Sequence, residues 1–246
     1  MAVQGCAVAF DDYPVGVGSV GSGGAAGMAG AAGASEDAGS DAACASRHLR
    51  FPGTEGAHAR FPGFVALEPP LTVEFWVRTV PSEQVDVAHV GPEDPCGWGI
   101  RVRGDEVHAG VTAAFDHYVQ PSLSVEWRHV AWTYDGAESV IFVDGSVAGR
   151  KSASAPIGLP GQCTGPLTVG AVLDGGGTPY AWGTGRVDEL RTSRTVRYES
   201  AFSPERRHGA SGASGLWHCD EADGAIEDAA GGVSGQLLGA ASRECD

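Results

Sequence analysis

The sequence predicts an all-β protein of antiparallel strands, and three stretches carry that prediction. The strongest is WRHVAWTYDGAESVIFVDG, Trp127 to Gly145. Trp127, Val130, Trp132, Thr133 and Tyr134 are aromatic or β-branched, and Val140 to Val143 form a second apolar run. Asp135-Gly136 and Asp144-Gly145 close the two runs as tight turns, so the stretch reads as a β-meander. Glycine suits such turns because their primed types require φ > 0, where a Cβ is penalised. The second stretch is PLTVEFWVRT, Pro70 to Thr79, and the third runs from LTVGAV, Leu167 to Val172, through GTGRVDELR to Pro204.

Length and composition bound the rest. A chain of 246 residues holds one β-sandwich of ordinary size with extensions. Its net charge of -15, from 31 acidic and 16 basic residues, argues against nucleic acid, whose phosphates are neutralised by Lys and Arg. An acidic surface suits an exported protein or one that gathers divalent cations, and equally an ordinary solvated surface. No apolar run reaches 18 residues, so no transmembrane helix is expected.

Cys6, Cys44, Cys96, Cys163, Cys219 and Cys245 are widely spaced, with no C-x-x-C pair of the zinc or thioredoxin kind. Disulfides in an exported protein fit better, and six cysteines allow 15 connectivities. Topology favours two bridges. Cys44 enters the first strand and Cys245 leaves the last, so antiparallel terminal strands bring them together. Cys96 and Cys163 each lie in a loop leading into a strand. A bridge between the ends of the domain stabilises it by about 4 kcal/mol in the chain-entropy model.

Three regions are expected. Residues 1–43 are a tether, because GSGGAAGMAGAAGAS is too rich in Gly, Ala and Ser to bury a core or sustain a helix. Residues 44–205 hold the sandwich. Residues 206–246 begin with the linker ERRHGASGASG and end in GLWHCDEADGAIEDAAGGVSGQLLG, too short to fold alone. Leu216 to His218 and Gln236 to Leu238 are expected to dock on the same sandwich as edge strands, so deleting residues 209 to 246 should unfold it.

These motifs, in this order, resemble the laminin-G-like jelly rolls of the concanavalin A-like superfamily. The usual order there is an LxFDG strand, a TVEFWV strand, a W-HVA-TYDG-LYVDG meander and a G-IDE-R strand. Here they stand as Leu49 to Gly53, Val73 to Val77, Trp127 to Gly145 and Gly185 to Arg191. The resemblance covers roughly residues 45 to 205 and implies a two-sheet antiparallel jelly roll. It is specific for fold rather than function, because such superfolds host lectins, adhesion modules, hydrolases and spacers. The tail motif is similar to the opening strands of the same module, with Cys219 in place of the usual Phe. Val3-Gln4-Gly5-Cys6 is similar to the end of a bacterial lipobox, which would make Cys6 a lipidation site. Met1 and Ala2 supply no signal ahead of it, so either the start has been trimmed or the likeness is accidental.

The resemblance also implies a structural calcium, bound by Asp188 of the Asp188-Glu189 pair with backbone oxygens and Glu55 near the LxFDG turn. Pro52 stands where the family has Asp. The alternative is that Asp188 bonds locally at a strand end and no metal is needed. The acids from Asp220 to Asp228 lack a calcium-loop register, and His208, His218 and Cys219 match no zinc spacing.

Loop aromatics are the candidates for stacking on a sugar: Trp98, Tyr118, Tyr180 and Trp182. Trp76, Trp127 and Trp132 lie in strand motifs and are expected in the core. The E-x-D-x-x-E strand of laminarinase-type hydrolases is missing, as are nucleophile-elbow, Walker and H-E-x-x-H motifs, and Glu74 stands isolated. What the resemblance implies is therefore a non-catalytic extracellular module that recognises a glycan or cell-surface polymer. The alternative is a structural or adhesion module contacting envelope proteins.

Overall fold

The computed structural model describes residues 44, 46–64, 67–80, 82–90, 97–111, 115–121, 125–154, 165–174 and 177–245. The tether, Cys6, Cys96 and Cys163 lie outside the described residues. Every strand belongs to one compact unit, Ala45–Asp246. In chain order the strands are β1 (Arg47–Pro52), β2 (His58–Phe61), β3 (Leu71–Arg78), β4 (Gln84–Val90), β5 (Trp98–Arg103) and β6 (Glu106–Val111). Then come β7 (Phe115–Val119), β8 (Arg128–Tyr134), β9 (Glu138–Val143), β10 (Ser146–Ser152), β11 (Leu167–Val169) and β12 (Val172–Leu173). The last are β13 (Pro179–Tyr180), β14 (Thr184–Ser193), β15 (Gly215–Trp217), β16 (Gln236–Leu238) and β17 (Ser242–Cys245). No helix occurs among the described residues, so none there is long and apolar enough to cross a membrane.

Two large antiparallel sheets form the sandwich. One runs β10-β9-β8-β3-β14-β1-β17, with β15 also on β14; the other runs β16-β2-β11-β4-β5-β6-β7. Alternation assigns the faces. Val73, Phe75 and Val77 of β3 and Val130, Trp132 and Tyr134 of β8 point into the core. Val90, Ile100, Ala109 and Phe61 meet them from the other sheet.

The meander forms where the sequence predicts it, with one change of turn. Asp144 and Gly145 both take positive φ, 48° and 74°, the signature of a two-residue primed turn. Asp135 instead opens a three-residue loop, its Oδ1 accepting the N–H groups of Ala137 at 2.7 Å and Glu138 at 2.6 Å.

The tail contributes three strands. β15 joins β14 at Leu190–Thr192, immediately past the Thr184–Val187 stretch that pairs with β1. β16 extends the smaller sheet beside β2, and β17 pairs with β1 at the rim of the larger one. Trp217 is fully buried and packs on Phe61, ring centroids 4.7 Å apart. Cys44 and Cys245 are joined by a disulfide, next to the register pair Arg47–Cys245.

The outer faces of the sheets differ. The segment 194–214 lies over the outer face of the larger sheet, where Tyr198 and Phe202 pack on Phe142, Ala131 and Val140. Trp76 Nε1 donates to Glu205 O at 3.1 Å, and the Arg206 guanidinium lies over both Trp76 and Trp127, at 5.3 and 5.1 Å. Trp76 and Trp127 are thus only half-buried and hold this segment, whereas the sequence places them in the core. Alternation is the reason, since Trp76 falls between the inward-facing Phe75 and Val77.

Candidate functional site

The outer face of the seven-stranded sheet is the candidate site. Its residues follow from strand register. Arg60 of β2, Thr168 of β11 and His89 of β4 stand side by side, continuing to Gly99, Gly110 and Asp116. A second row runs Asp86, Arg101, His108, Tyr118. Glycine at 99 and 110 leaves no side chain in the middle of the first row.

Thr168, Asp86 and His89 form a buried floor. Asp86 Oδ1 receives Arg101 Nε at 2.7 Å, yet burial, opposed by Arg101, still pushes the Asp86 carboxyl above its usual range. Burial, with help from Arg101, lowers His89 to about 4, so it is neutral at physiological pH. His108 is bonded to Asp116 at 3.3 Å and Glu106 at 3.1 Å, and these acids raise its pKa against the effect of burial.

Five buried polar atoms on this face have no hydrogen-bond partner among the described residues: His58 Nε2, Arg60 Nε, Asp86 Oδ2, His89 Nδ1 and Asp116 Oδ1. Buried polar groups in native proteins are nearly always satisfied, so a row of unpaired ones suits an incoming ligand.

Aromatic rings flank the floor. Tyr118 is 62 % exposed and stacks on His108, centroids 5.6 Å apart. At the other end Trp182 lies 5.7 Å from the His58 ring. The β12–β13 hairpin, which carries the half-buried Tyr180, is held there as Gly170 N donates to Asp86 O at 2.7 Å and Gly183 N to Gly170 O at 2.9 Å. From β2 to β7 is five strand spacings, roughly 24 Å.

Trp98 does not join them. It opens β5, not a loop, and is fully buried between Phe64 and Trp132, so its ring cannot reach a ligand. The sequence misled here because Cys96-Gly97 reads as a turn, while alternation along β5 puts Trp98 on the same inward face as Ile100 and Val102. Conversely His58, Arg60, His89 and Asp86 carried no local motif, and register alone aligns them.

Asp188 and Glu55 do not make a calcium site together. Asp188 lies four residues along β14 from the Pro52–Thr184 pair, roughly 13 Å, while Glu55 lies beyond Pro52 in the opposite direction. Asp188 is buried; its Oδ2 binds Arg206 at 2.7 Å and its Oδ1 accepts the Glu189 N–H at 2.8 Å. Burial raises its pKa to about 7 although Arg206 opposes the rise. Glu189 is turned away by a bulge, φ 53°, and binds His218 Nδ1 at 2.8 Å and the His208 N–H at 2.8 Å. Both acids therefore have protein partners where calcium would need their oxygens.

A cleft of about 450 Å³ on the larger sheet is lined by Asp135, Glu138, Arg150, Tyr198 and Glu199. Two of its carboxylates are engaged, Glu138 with Arg150 at 2.7 Å and Asp135 with the turn N–H groups, and none of its lining residues carries an unpaired buried polar atom of the kind found on the other face.

Comparisons with known proteins agree with this architecture. No curated protein matches the chain. Among solved structures, a candidate carbohydrate-binding protein from Bacteroides ovatus superposes with a TM-score of 0.61 at 18% identity, covering 81% of this chain. The chain spans 60% of that protein's length. Domains LG4-5 of the mouse laminin alpha1 chain give 0.49 at 18% identity, over 65% of this chain and 44% of that one. The CBM40 of the Ruminococcus gnavus IT-sialidase, bound to alpha2,6 sialyllactose, gives 0.46 at 14% identity, over 55% of this chain and 80% of that one. The Laminin G 3 family model matches residues 53–201, well over half of the chain, so with its two-sheet sandwich this chain belongs to that family of the concanavalin A-like lectin/glucanases superfamily.

Proposed function

We propose that the chain is a non-catalytic, exported recognition module that binds a glycan or cell-surface polymer across the outer face of its seven-stranded sheet. The observation that carries this is the row of unpaired buried polar atoms, His58 Nε2, Arg60 Nε, Asp86 Oδ2 and His89 Nδ1, between Trp182 and Tyr118. Sugars present hydroxyls for such atoms and apolar ring faces for aromatic side chains. The Bacteroides ovatus neighbour, named for carbohydrate binding, shares the fold. The disulfide supports export. Lipid attachment at Cys6 would hold the module at a surface, and it is separable from ligand binding.

The test is binding of the full chain to immobilised polysaccharides and glycans, with calcium and with chelator. Saturable binding to one class is expected, weakened about tenfold or more by Trp182→Ala or Tyr118→Ala with melting unchanged. A folded protein that binds no glycan sinks this reading and favours the structural or adhesion alternative. Loss of binding in chelator alone would reinstate a calcium site.

A further inference from the structure

We propose that Glu74, His129 and His208 form a site for a divalent transition metal of the zinc class, which clasps the segment 194–214 to the outer face of the eight-stranded sheet. Glu74 on β3 and His129 on β8 are diagonal neighbours on one face, set by the pairs Glu74–Ala131 and Trp76–His129. His208 reaches them from the overlying segment, its backbone N–H fixed on Glu189 Oε2 at 2.8 Å.

His129 Nε2 lies 3.3 Å and His208 Nε2 4.0 Å from Glu74 Oε2. One ligand atom from each of the three residues falls within 4.8 Å of the others. Two ligands of a tetrahedral zinc, each about 2.0–2.1 Å from the ion, stand about 3.4 Å apart, so the His129–Glu74 pair already fits and His208 must close in by about 1 Å. Two imidazoles and a carboxylate are a donor set that zinc accepts.

All three residues are buried, and among the described residues the four ring nitrogens of His129 and His208 make no well-aligned hydrogen bond, His129 Nε2 meeting Glu74 Oε2 only as the 3.3 Å ion-pair contact. A metal would engage one nitrogen on each ring, answering half of that deficit.

Glu74 also has the outer support typical of a ligating carboxylate. Arg191 binds Oε1 through Nε at 2.9 Å and Nη2 at 2.8 Å, and Tyr198 O–H donates to Oε2 at 2.8 Å. Closure from solvent makes the site structural rather than catalytic. A buried water joining the same three groups is the competing occupant.

The full chain would be refolded with equimolar Zn²⁺, desalted and assayed for metal by mass spectrometry, with thermal melting before and after chelator. About one ion per chain is expected, with melting raised by about 5 °C or more over the metal-free protein. His208→Gln and Glu74→Gln should each abolish retention, while His218→Gln retains the ion. Co²⁺ in place of Zn²⁺ should give the visible absorption of a tetrahedral complex, a readout independent of stability. A folded wild-type chain that keeps no metal overturns the proposal, as does retention undiminished in a folded His129→Gln, His208→Gln double variant.

Discussion

His89 and His208 are neutral imidazoles in dry surroundings, with pKa values of about 4 and about 3. An unfolded chain protonates histidine near pH 6.5, so between that pH and the folded values the unfolded state binds more protons. Stability from these residues is complete above about pH 6.5 and is lost as pH falls toward 4 and then 3. For His89 the loss is on the order of 3 kcal/mol. Asp188, raised to about 7, and the raised Asp86 and His108 act in the opposite direction as pH falls, so the test isolates His89. The urea midpoint of His89→Gln relative to wild type should improve from pH 7 through 5.5 to 4.5; a difference that does not change with pH contradicts neutral burial of His89. Gly145 poses a steric limit of the same local kind. At φ 74° a Cβ would collide with the Phe202 carbonyl oxygen, while Phe202 N donates to Gly145 O at 2.9 Å. Gly145→Ala should cost about 2 kcal/mol or more in chemical denaturation. A cost below 0.5 kcal/mol would mean that the turn and the overlying segment are not coupled.

Among the elements, β15 shows how a short tail becomes part of a core. Its three residues take over the edge of β14 where β1 stops, and Trp217 enters between Phe61 and Phe64 while its Nε1 donates to Val233 O at 2.8 Å. Trp217→Ala should destabilise the domain by about 3–5 kcal/mol, and removing residues 209 to 246 should abolish cooperative melting. Melting unchanged in the truncated chain would show that β15 to β17 are accessories. Tail strands were legible because GLWH and QLL keep the apolar pattern of an edge strand. The segment 194–214 was not, because only its distant partners, Phe142, Thr72 and Gly145, reveal what it covers. The same limit explains Trp76 and Trp127: alternation within a strand says that one face differs from the other, not what a later segment lays over the outer one.

For the whole molecule, the disulfide between Cys44 and Cys245 closes nearly the entire domain. Loop-closure entropy then restrains the unfolded chain, with a contribution of about 2–5 kcal/mol. Cys44→Ser should lower the denaturation midpoint while preserving the β-sheet circular dichroism, because β1 keeps its pairing with β14. Loss of all structure would show that the bridge, not the strand order, holds the ends. The sandwich is asymmetric: one outer face lies under its own chain, while the other carries unpaired polar atoms between two aromatic residues. By itself the sequence determined the all-β class, the meander with its Asp144-Gly145 turn and the family, because alternation and turn chemistry act over a few residues. Only the tertiary structure decided that Trp98 is core, that Asp188 faces Arg206 and that His58, Arg60, Asp86 and His89 share a floor. The same holds for Glu74, His129 and His208, which meet far from one another in sequence. Strand register and sheet order, set by packing across the whole core, choose those neighbours.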